Sequence, residues 1–427
     1  MFMMPFQVLA LWLRALLSMA LLGGAITLLT LWYVNRERPI VERRNAEGTW
    51  VAVDERPADA PDNADRRTRW VSWEFGLNRE TAFLLGGAAL LLWSLGGGLV
   101  VHPLLWRRAG SRPDSPVGEK HRIKRPDGTE LHVELFGPPN GVPLVLIHGW
   151  SLHSDEWAYA KTELARTHRL IVWDLAGLGH SGMPDNRDFS LAKMAHDLDA
   201  VIEAVSFNPV VLVGHSIGGM IILTYCKLFP EKMGQRVRSL VIAQSTYTNP
   251  VKTTRLSGLM QALQKPLLEP LAHLMVWLSP VVRVFNWMSY LNGSAHRSTE
   301  RSAFTGRETR GQLDALTRQY VESNPAAIGR GFLAMFEYDA SDVLPGITVP
   351  VLIITADRDN TCVPEASEHM ARVIPSARLT RLGDGRHCAV YEFHEQFHAA
   401  VIDFVAASEM EAEQRVITEA ARTTAGS

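Results

Sequence analysis

The segment Pro209–Met220 reads PVVLVGHSIGGM and joins three local patterns. Val210–Val213 is a run of branched apolar residues, which predicts a buried β-strand, and Ile217–Leu228 has the length and composition of an apolar helix. The pentapeptide Gly214–Gly218 between them matches G-x-S-x-G. A sharp strand-to-helix turn of this kind fixes and exposes a serine, and glycines let the chain pass closely on either side. The pattern predicts that Ser216 is a nucleophile, and the alternative is a tight turn without chemistry.

A nucleophilic serine needs a histidine as general base and a carboxylate that orients the histidine ring. Both residue types follow downstream, in the order serine, acid, histidine. Val349–Thr355 is an apolar, strand-like run, and it is followed by Asp357 and Asp359. Ala377–Leu382 is a shorter strand-like run, and it is followed by His387. These loops predict a triad made of the serine, the histidine and one of the two aspartates.

Two backbone amides are predicted to hold the oxyanion of the reaction. One belongs to Ile217, at the start of the helix after the serine, where free N–H groups and the helix dipole favour negative charge. The other is assigned to Trp150, because Pro143–Ile147 reads as a strand that leads into His148-Gly149-Trp150. The indole of Trp150 either lines the pocket or packs in the interior, and the sequence does not separate these two roles.

Taken together, these segments resemble the α/β-hydrolase superfamily. The resemblance is carried by His148-Gly149, by residues 174–181 (DLAGLGHS), by Gly214–Gly218 and by Asp359 and His387. It implies an α/β fold over residues 119–408, with a mostly parallel central sheet, flanking helices and a helical cap. It also implies that Asp174, the first residue of the DLAGLGHS segment, forms a turn and takes no part in catalysis.

The resemblance favours Asp359 as the acid of the triad. Asp359 lies three residues after Ala356, where the G-x-x-D pattern of such loops places its acid. Asp357 stays open, because the spacing from Asp359 to Pro364 is one residue longer than expected. The predicted site therefore consists of Ser216, Asp359 and His387, with the amides of Trp150 and Ile217 as the oxyanion hole.

The strand pattern stops between residues 246 and 342. Leu256–Leu278 and Val281–Leu291 are apolar, rich in methionine and tryptophan, and interrupted by prolines, which predicts short helices. An insertion at this place resembles the helical cap of the family. Its apolar face is expected either to pack on the body or to line an acyl pocket and touch lipid. Ser294–Arg310 is polar and is predicted to be a mobile loop.

Residues 1–110 are predicted to be a membrane anchor with two transmembrane helices. Ala15–Val34 and Thr81–Val101 contain no charged residue, and each is long enough to cross about 30 Å of hydrocarbon at about 1.5 Å per residue. A cleaved signal peptide is disfavoured for the first run, because the bulky Leu31–Val34 makes a poor cleavage site. Arginines stand on both sides of the spans, so the side of the membrane that carries the hydrolase stays unresolved.

Two further stretches contain no motif that indicates a catalytic or binding role. The polar loop Asn35–Glu80 has strand-like pieces at Thr49–Val53 and Arg69–Phe75, which predicts a small hairpin or an irregular segment. Residues 409–427 are charged and then rich in small residues, and they are predicted to be a flexible tail.

The composition argues against several other functions. A net charge of −2 over 427 residues gives no basic surface for nucleic acid. The three cysteines, Cys226, Cys362 and Cys388, form no C-x-x-C pair, and Gly214–Gly219 lacks the lysine of a phosphate-binding loop, so neither a metal nor a cofactor is expected. Cys362 and Cys388 lie near the predicted acid and base; free thiols are expected, and a disulfide between them is the alternative.

The sequence therefore predicts a serine hydrolase that cleaves carboxylic esters through an acyl-enzyme on Ser216. Its expected partners are a small-molecule or lipid ester and the membrane bilayer, and the anchor and the apolar cap favour lipophilic esters such as monoacylglycerols. A cofactor-free haloperoxidase-like enzyme or a carbon-carbon bond hydrolase would use the same triad. A non-catalytic binding module on the hydrolase fold is the remaining alternative, and a broken triad would be its sign.

Overall fold

A computed structural model describes residues 4–35, 40–45, 47–52, 66–69, 79–105 and 108–425. The described strands form two sheets. The smaller sheet is antiparallel, has the order β2-β1-β3, and consists of β1 (Ile40–Arg44), β2 (Trp50–Ala52) and β3 (Arg66–Arg69). The larger sheet has eight strands: β4 (Glu119–Lys124), β5 (Glu130–Phe136), β6 (Pro143–Ile147), β7 (Arg169–Trp173), β8 (Val210–His215), β9 (Val237–Ala243), β10 (Val351–Thr355) and β11 (Ala377–Arg381).

The larger sheet has the order β11-β10-β9-β8-β6-β7-β5-β4. The neighbours from β11 to β7 are parallel, whereas β5 is antiparallel to both β4 and β7. This is the mostly parallel sheet that the alternation of strands and helices predicts. Because parallel strands place their carboxyl ends at one edge, the loops that follow β6, β8, β9, β10 and β11 meet there.

Helices cover the larger sheet and extend beyond it. In chain order they are α1 (Met4–Asn35), α2 (Arg79–Gly96), α3 (Gly98–Leu105), α4 (Ala158–Glu163), α5 (Leu191–Val205), α6 (Ile217–Leu228), α7 (Ser257–Leu263), α8 (Glu269–Trp277), α9 (Ser279–Leu291), α10 (Ser294–Ala303), α11 (Arg310–Glu322), α12 (Pro325–Phe336), α13 (Pro364–Val373), α14 (Ala389–Glu392) and α15 (His394–Ala425).

The inner strands of the larger sheet, such as β6, β8 and β10, are buried on both faces. In β6, Val145 and Ile147 belong to one core cluster with residues of α5 and α6, whereas Leu144 and Leu146 belong to another with residues of α4 and α15. Successive residues of a strand point to opposite faces. A strand that is buried on both faces needs apolar residues at every position, which explains the continuous apolar runs of the sequence.

Helices α7–α12 form the insertion between β9 and β10, where the sequence predicts the cap. The prolines break it into short pieces as expected. Pro266 lies in a π-helical turn between α7 and α8, and Pro270 and Pro280 lie in the first turns of α8 and α9. A proline is tolerated in a first turn, because the N–H that it lacks would have no partner there.

The predicted mobile loop Ser294–Arg310 is wrong in its first half, which is helix α10. Its buried stripe consists of Ala295, His296, Thr299 and Ala303, which recur at helical spacing. None of these is a large apolar residue, and a hydrophobic pattern therefore does not reveal the stripe.

Helix α1 is the one described helix that is long and apolar enough on its own to cross a membrane, over Val8–Asn35. Helices α2 and α3 qualify only as a joined pair, because they meet at an angle of 65°. The second predicted span, Thr81–Val101, is therefore not confirmed as a continuous helix. The break lies at Gly97, and glycine in a helix interior is unfavourable because it loses much backbone freedom. The cap helices α7–α9 form another bent apolar pair of this kind.

Glycines let α1 and α2 pack closely along each other. A Cβ on Gly24 would lie 3.2 Å from Leu90, and a Cβ on Gly87 would lie 2.8 Å from Leu29. Small residues of this kind are typical of helix contacts inside membranes.

Two predicted segments near the ends of the chain differ from the structure or lie partly outside the described residues. Of the strand-like pieces in the N-terminal loop, Thr49–Val53 contains β2, whereas Arg69–Phe75 lies almost wholly outside the described residues. Where a flexible tail is predicted from residue 409, helix α15 continues to Ala425. The segment is rich in glutamate and alanine, which are good helix formers, and Glu409 lies 2.8 Å from Arg238 of the body.

Candidate active site

Ser216 lies at the corner between β8 and α6, with φ 56° and ψ −117°. This conformation is strained for a residue with a side chain. The glycines around Ser216 are required for space: a Cβ on Gly214 would lie 2.4 Å from the carbonyl carbon of Gly218, and a Cβ on Gly218 would lie 2.4 Å from the carbonyl oxygen of Ile147. The corner therefore fixes the serine at the carboxyl edge of the sheet.

Three loops bring Ser216, His387 and Asp359 into one hydrogen-bonded row. Nε2 of His387 lies 3.0 Å from Oγ of Ser216, and Nδ1 of His387 lies 2.9 Å from Oδ2 of Asp359. The three residues are 1%, 5% and 2% exposed, respectively. In such a row the imidazole can take the serine proton, while the carboxylate fixes the ring and stabilises the imidazolium.

Asp359, and not Asp357, faces the histidine. The other oxygen of Asp359, Oδ1, accepts hydrogen bonds from the backbone N–H groups of Thr361 at 2.7 Å and Cys362 at 3.1 Å. Asp357 instead lies 2.7 Å from Arg381, and its side chain is 47% exposed. Of the two aspartates that the sequence leaves open, Asp359 is therefore the one whose side chain contacts His387.

The two amides assigned to the oxyanion hole follow β6 and β8, which are neighbours in the sheet. Ile217 is the first residue of α6, so its N–H has no acceptor within the helix. The indole of Trp150 donates to the carbonyl of Ile328 at 3.2 Å, and the residue is 2% exposed. A Cβ on Gly331 would lie 2.0 Å from this ring. The indole therefore packs between body and cap, and the assignment of the Trp150 amide to the oxyanion hole stays a prediction.

Two polar residues after β9 brace the row and are not predicted from the sequence. Gln244 donates to the carbonyl of Arg386 at 2.5 Å and accepts from the N–H of Val390 at 3.2 Å, so it holds the chain on both sides of His387. Ser245 donates to the carbonyl of Ser216 at 2.6 Å. Their place directly after a buried strand, at the same sheet edge, is the signal that could have marked them.

A buried charged pair lies behind the row. Oε1 of Glu156 lies 2.5 Å from Nδ1 of His215, and Nε2 of His215 lies 2.8 Å from the carbonyl oxygen of His387. Burial disfavours both charges, but the partners outweigh it. Glu156 and the His387 carbonyl raise the pKa of His215, and His215 together with the Gly149 amide lowers the pKa of Glu156. No motif surrounds Glu156, and sequence analysis therefore misses it.

A profile of the α/β hydrolase fold matches residues 142–393, which is more than half of the chain. The chain belongs to the α/β hydrolase fold family. The match begins after α3, so the N-terminal helices of this α/β hydrolase lie outside it.

Individual relatives of this α/β hydrolase have different names. It is 27% identical over 277 residues to the pimeloyl-[acyl-carrier protein] methyl ester esterase of Xanthomonas axonopodis pv. citri (strain 306), a match that covers 65% of this chain and 99% of that protein. It is 27% identical over 252 residues to the non-heme chloroperoxidase of Burkholderia pyrrocinia, with 56% and 82% covered. A solved esterase structure from Exiguobacterium antarcticum matches with a TM-score of 0.55 and 24% identity over 67% of this chain and 100% of that one.

Asp174 supports the turn after β7 in this α/β hydrolase. Its oxygens accept hydrogen bonds from the N–H groups of Ser154 at 2.7 Å and His180 at 2.8 Å. His132, Asp174 and His180 also offer three ligand atoms within 4.8 Å of one another, a spacing that suits a metal ion. The amide hydrogen bonds account for the Asp174 carboxylate without a metal.

The three cysteines of the α/β hydrolase are free and buried. Burial raises the pKa of Cys362 and Cys388, which keeps both in the thiol form. The reactive form of cysteine is the thiolate. Neither thiol is therefore a candidate nucleophile.

Proposed function

We propose that this α/β hydrolase cleaves carboxylic esters through a covalent acyl-enzyme on Ser216. The observation that carries the proposal is the row of three side chains, with 3.0 Å from Ser216 to His387 and 2.9 Å from His387 to Asp359. The esterase named among the relatives is consistent with this reaction.

In the first half of the reaction, Oγ of Ser216 attacks the ester carbonyl as Nε2 of His387 takes its proton. The negative charge that develops on the carbonyl oxygen is held by the amides of Ile217 and Trp150. His387 then gives the proton to the departing alcohol, and an acyl group remains on Ser216. Asp359 keeps Nδ1 of the ring protonated throughout, so that Nε2 is free to accept.

In the second half, water takes the place of the alcohol. Nε2 of His387 removes a proton from the water, which attacks the acyl carbonyl, and the same two amides hold the charge. Collapse of this intermediate returns the proton to Ser216 and releases the acid.

The exposed apolar surface of the cap supports a lipophilic substrate such as a monoacylglycerol. Trp277 is 77% exposed and Val284 is 58% exposed, and Leu274, Val281 and Leu291 are exposed beside them. Large exposed apolar side chains on one element are typical of a surface that contacts lipid. Helix α1 packs on α9, one of the two helices that carry these residues. The proposed enzyme is anchored by α1 and by the bent pair of α2 and α3, with the cap against the bilayer.

A cofactor-free haloperoxidase-like reaction is the second candidate. It is favoured by the similarity to a non-heme chloroperoxidase and would use the same three side chains. Esterase and haloperoxidase-like activities can be measured side by side on one preparation.

The test is a series of p-nitrophenyl esters with acyl chains of rising length, together with monoolein, on the detergent-solubilised full-length chain. We expect hydrolysis that increases with chain length and is lost in Ser216→Ala. Bromination of monochlorodimedone in the presence of peroxide and acetate, measured on the same sample, distinguishes the second candidate. A folded protein that hydrolyses none of these esters would rule out the proposal.

A further inference from the structure

Helix α1 contacts the cap as well as α2. The indole Nε1 of Trp12 donates to the carbonyl of Leu271 in α8 at 3.1 Å, and Oγ of Ser18 accepts from Asn292, just after α9, at 3.0 Å. Val8 and Leu11 are buried in the same core cluster as residues of the cap. The first half of the N-terminal helix is therefore built into the hydrolase.

A small cavity of about 30 Å³ lies where α1 meets the cap. It is lined by Arg14 from α1, Thr299 from α10, Tyr320 from α11, Ile328 from α12 and Ser151 from the loop after β6. This volume is about that of one water molecule.

Two residues of the cavity wall lie close to the loops of the proposed active site. Ser151 directly follows Trp150, whose amide is assigned to the oxyanion hole. The hydroxyl of Tyr320 lies 3.6 Å from Sγ of Cys388, which directly follows His387. Ser151 and Tyr320 therefore connect the wall of the cavity to the loops that carry the proposed site.

Two polar side chains that line the cavity have no partner among the described residues. Nε of Arg14 is buried without a hydrogen bond, and Arg14 makes no ion pair with a described acidic residue. Oγ1 of Thr299 is also without a hydrogen bond, in a residue that is 2% exposed. A buried N–H of a guanidinium without a partner is costly, and an ionisable residue in an apolar helix is a candidate for function.

We propose that Arg14, assisted by the hydroxyl of Thr299, binds an anionic group of the substrate. A guanidinium matches the geometry of a carboxylate or a phosphate and binds either with charge-assisted hydrogen bonds. The substrate class is thus an ester that carries a carboxylate or phosphate a few atoms from the scissile bond. This inference rests on the proposed ester hydrolysis at Ser216 and adds the charge of the substrate.

The experiment compares two esters with four-carbon acyl chains, neutral p-nitrophenyl butyrate and anionic p-nitrophenyl hemisuccinate, on the detergent-solubilised full-length chain. In the wild type we expect a higher kcat/KM for the hemisuccinate. Arg14→Met is expected to lower kcat/KM for the hemisuccinate about tenfold or more, since a hydrogen-bonded charge is lost, and to change the butyrate value less than about twofold. Arg14→Lys is expected to keep part of the preference. Equal losses on both esters, or none on either, would overturn the inference.

A second pair of substrates separates the sources of the anion. Monoolein and 1-oleoyl lysophosphatidic acid share an acyl chain and differ in a phosphate. If the phosphate ester is preferred and Arg14→Met removes the preference, the ligand is a lipid phosphate. If only the hemisuccinate preference depends on Arg14, the ligand is a carboxylate. If neither preference depends on Arg14, the site is not an anion site.

A readout without catalysis distinguishes failure of this inference from failure of the proposed function. Octanoate is expected to raise the Tm of the wild type, octanol is expected to leave it unchanged, and Arg14→Met is expected to abolish the octanoate effect. Arg14→Met removes a half-buried charge that has no ion pair with a described acidic residue, so its own Tm is expected to be equal to or above that of the wild type. If esters are not hydrolysed but the octanoate effect depends on Arg14, the proposed anion binding is supported and the proposed esterase function is ruled out. If octanoate has no Arg14-dependent effect on the Tm, the proposed anion binding by Arg14 is ruled out.

Discussion

Nε2 of His215 lies 2.8 Å from the carbonyl oxygen of His387. This contact links the residue before Ser216 to the loop that carries His387, the proposed base. The same ring faces Glu156 on its other side, 2.5 Å from Oε1. Glu156 also accepts the N–H of Gly149, next to the proposed oxyanion residue Trp150, at 2.7 Å. One buried ion pair thus connects three of the loops that form the site.

Replacement of Glu156 is expected to destabilise the protein. In Glu156→Gln the His215 imidazolium loses its counter-charge, and removal of one member of a buried ion pair costs about 3 kcal/mol or more. The value of kcat is expected to fall with it, because the His387 loop loses its support. Thermal unfolding and ester hydrolysis check both effects. Glu163→Gln is the control, since Glu163 is 45% exposed and pairs with Arg166 on the surface. Equal effects of the two substitutions would contradict the role of the buried pair.

The same pair predicts a pH window of stability. The pKa of His215 is raised from 6.5, so its contribution is full below about pH 6.5 and is lost as pH rises through the raised value. The pKa of Glu156 is lowered from 4.5, so its contribution is full above about pH 4.5 and is lost as pH falls through the lowered value. The difference in Tm between wild type and Glu156→Gln is expected to be largest between about pH 4.5 and about pH 6.5, where both contributions are full. A difference that does not vary with pH would count against the ion pair.

The two aspartates after β10 are expected to differ sharply in their effect on catalysis. Asp359→Asn leaves His387 without its carboxylate and favours the wrong tautomer, which is expected to lower kcat about ten-thousand-fold. Asp357→Asn removes only an exposed ion pair with Arg381 and is expected to leave kcat nearly unchanged. Steady-state hydrolysis of p-nitrophenyl butyrate measures both. A larger loss in Asp357→Asn would show that the acid is assigned to the wrong residue.

A pair of glycines tests the strained corner. Gly218 and Gly258 are each the second residue of a helix, but a Cβ on Gly218 would lie 2.4 Å from the carbonyl oxygen of Ile147, whereas Gly258 has nothing within 4 Å. Gly218→Ala is therefore expected to lower stability by about 3 kcal/mol, and Gly258→Ala is expected to change it by less than about 0.5 kcal/mol. Chemical denaturation compares the two, and similar stabilities would mean that the corner has room for a side chain.

The sequence predicts the sheet and the row of three side chains because both leave local signals. Strands buried on two faces, such as Val210–His215, read as unbroken apolar runs, and a serine between glycines after such a run reads as a corner. His387 and the two candidate aspartates, Asp357 and Asp359, are found because they follow further strands, and the resemblance to the α/β-hydrolase superfamily favours Asp359. The order of the strands then brings their loops together.

Other features depend on partners that are distant in the chain, and the sequence does not show them. Gln244 contacts Val390, which is more than one hundred residues away in the chain, and Glu156 contacts His215 at the end of another strand. Neither Glu156 nor Gln244 lies in a motif. Helix α10 is missed because its buried stripe is Ala, His and Thr. The bend of 65° between α2 and α3 is missed because composition alone describes an apolar run as straight.

The most direct test of the central claim is covalent labelling of the detergent-solubilised full-length chain with a fluorophosphonate, followed by peptide mass spectrometry. The account predicts one adduct, on the peptide that contains Ser216, which is absent in Ser216→Ala and forms far more slowly in His387→Ala. A folded wild-type protein that forms no adduct, or an adduct that persists in Ser216→Ala, would contradict it.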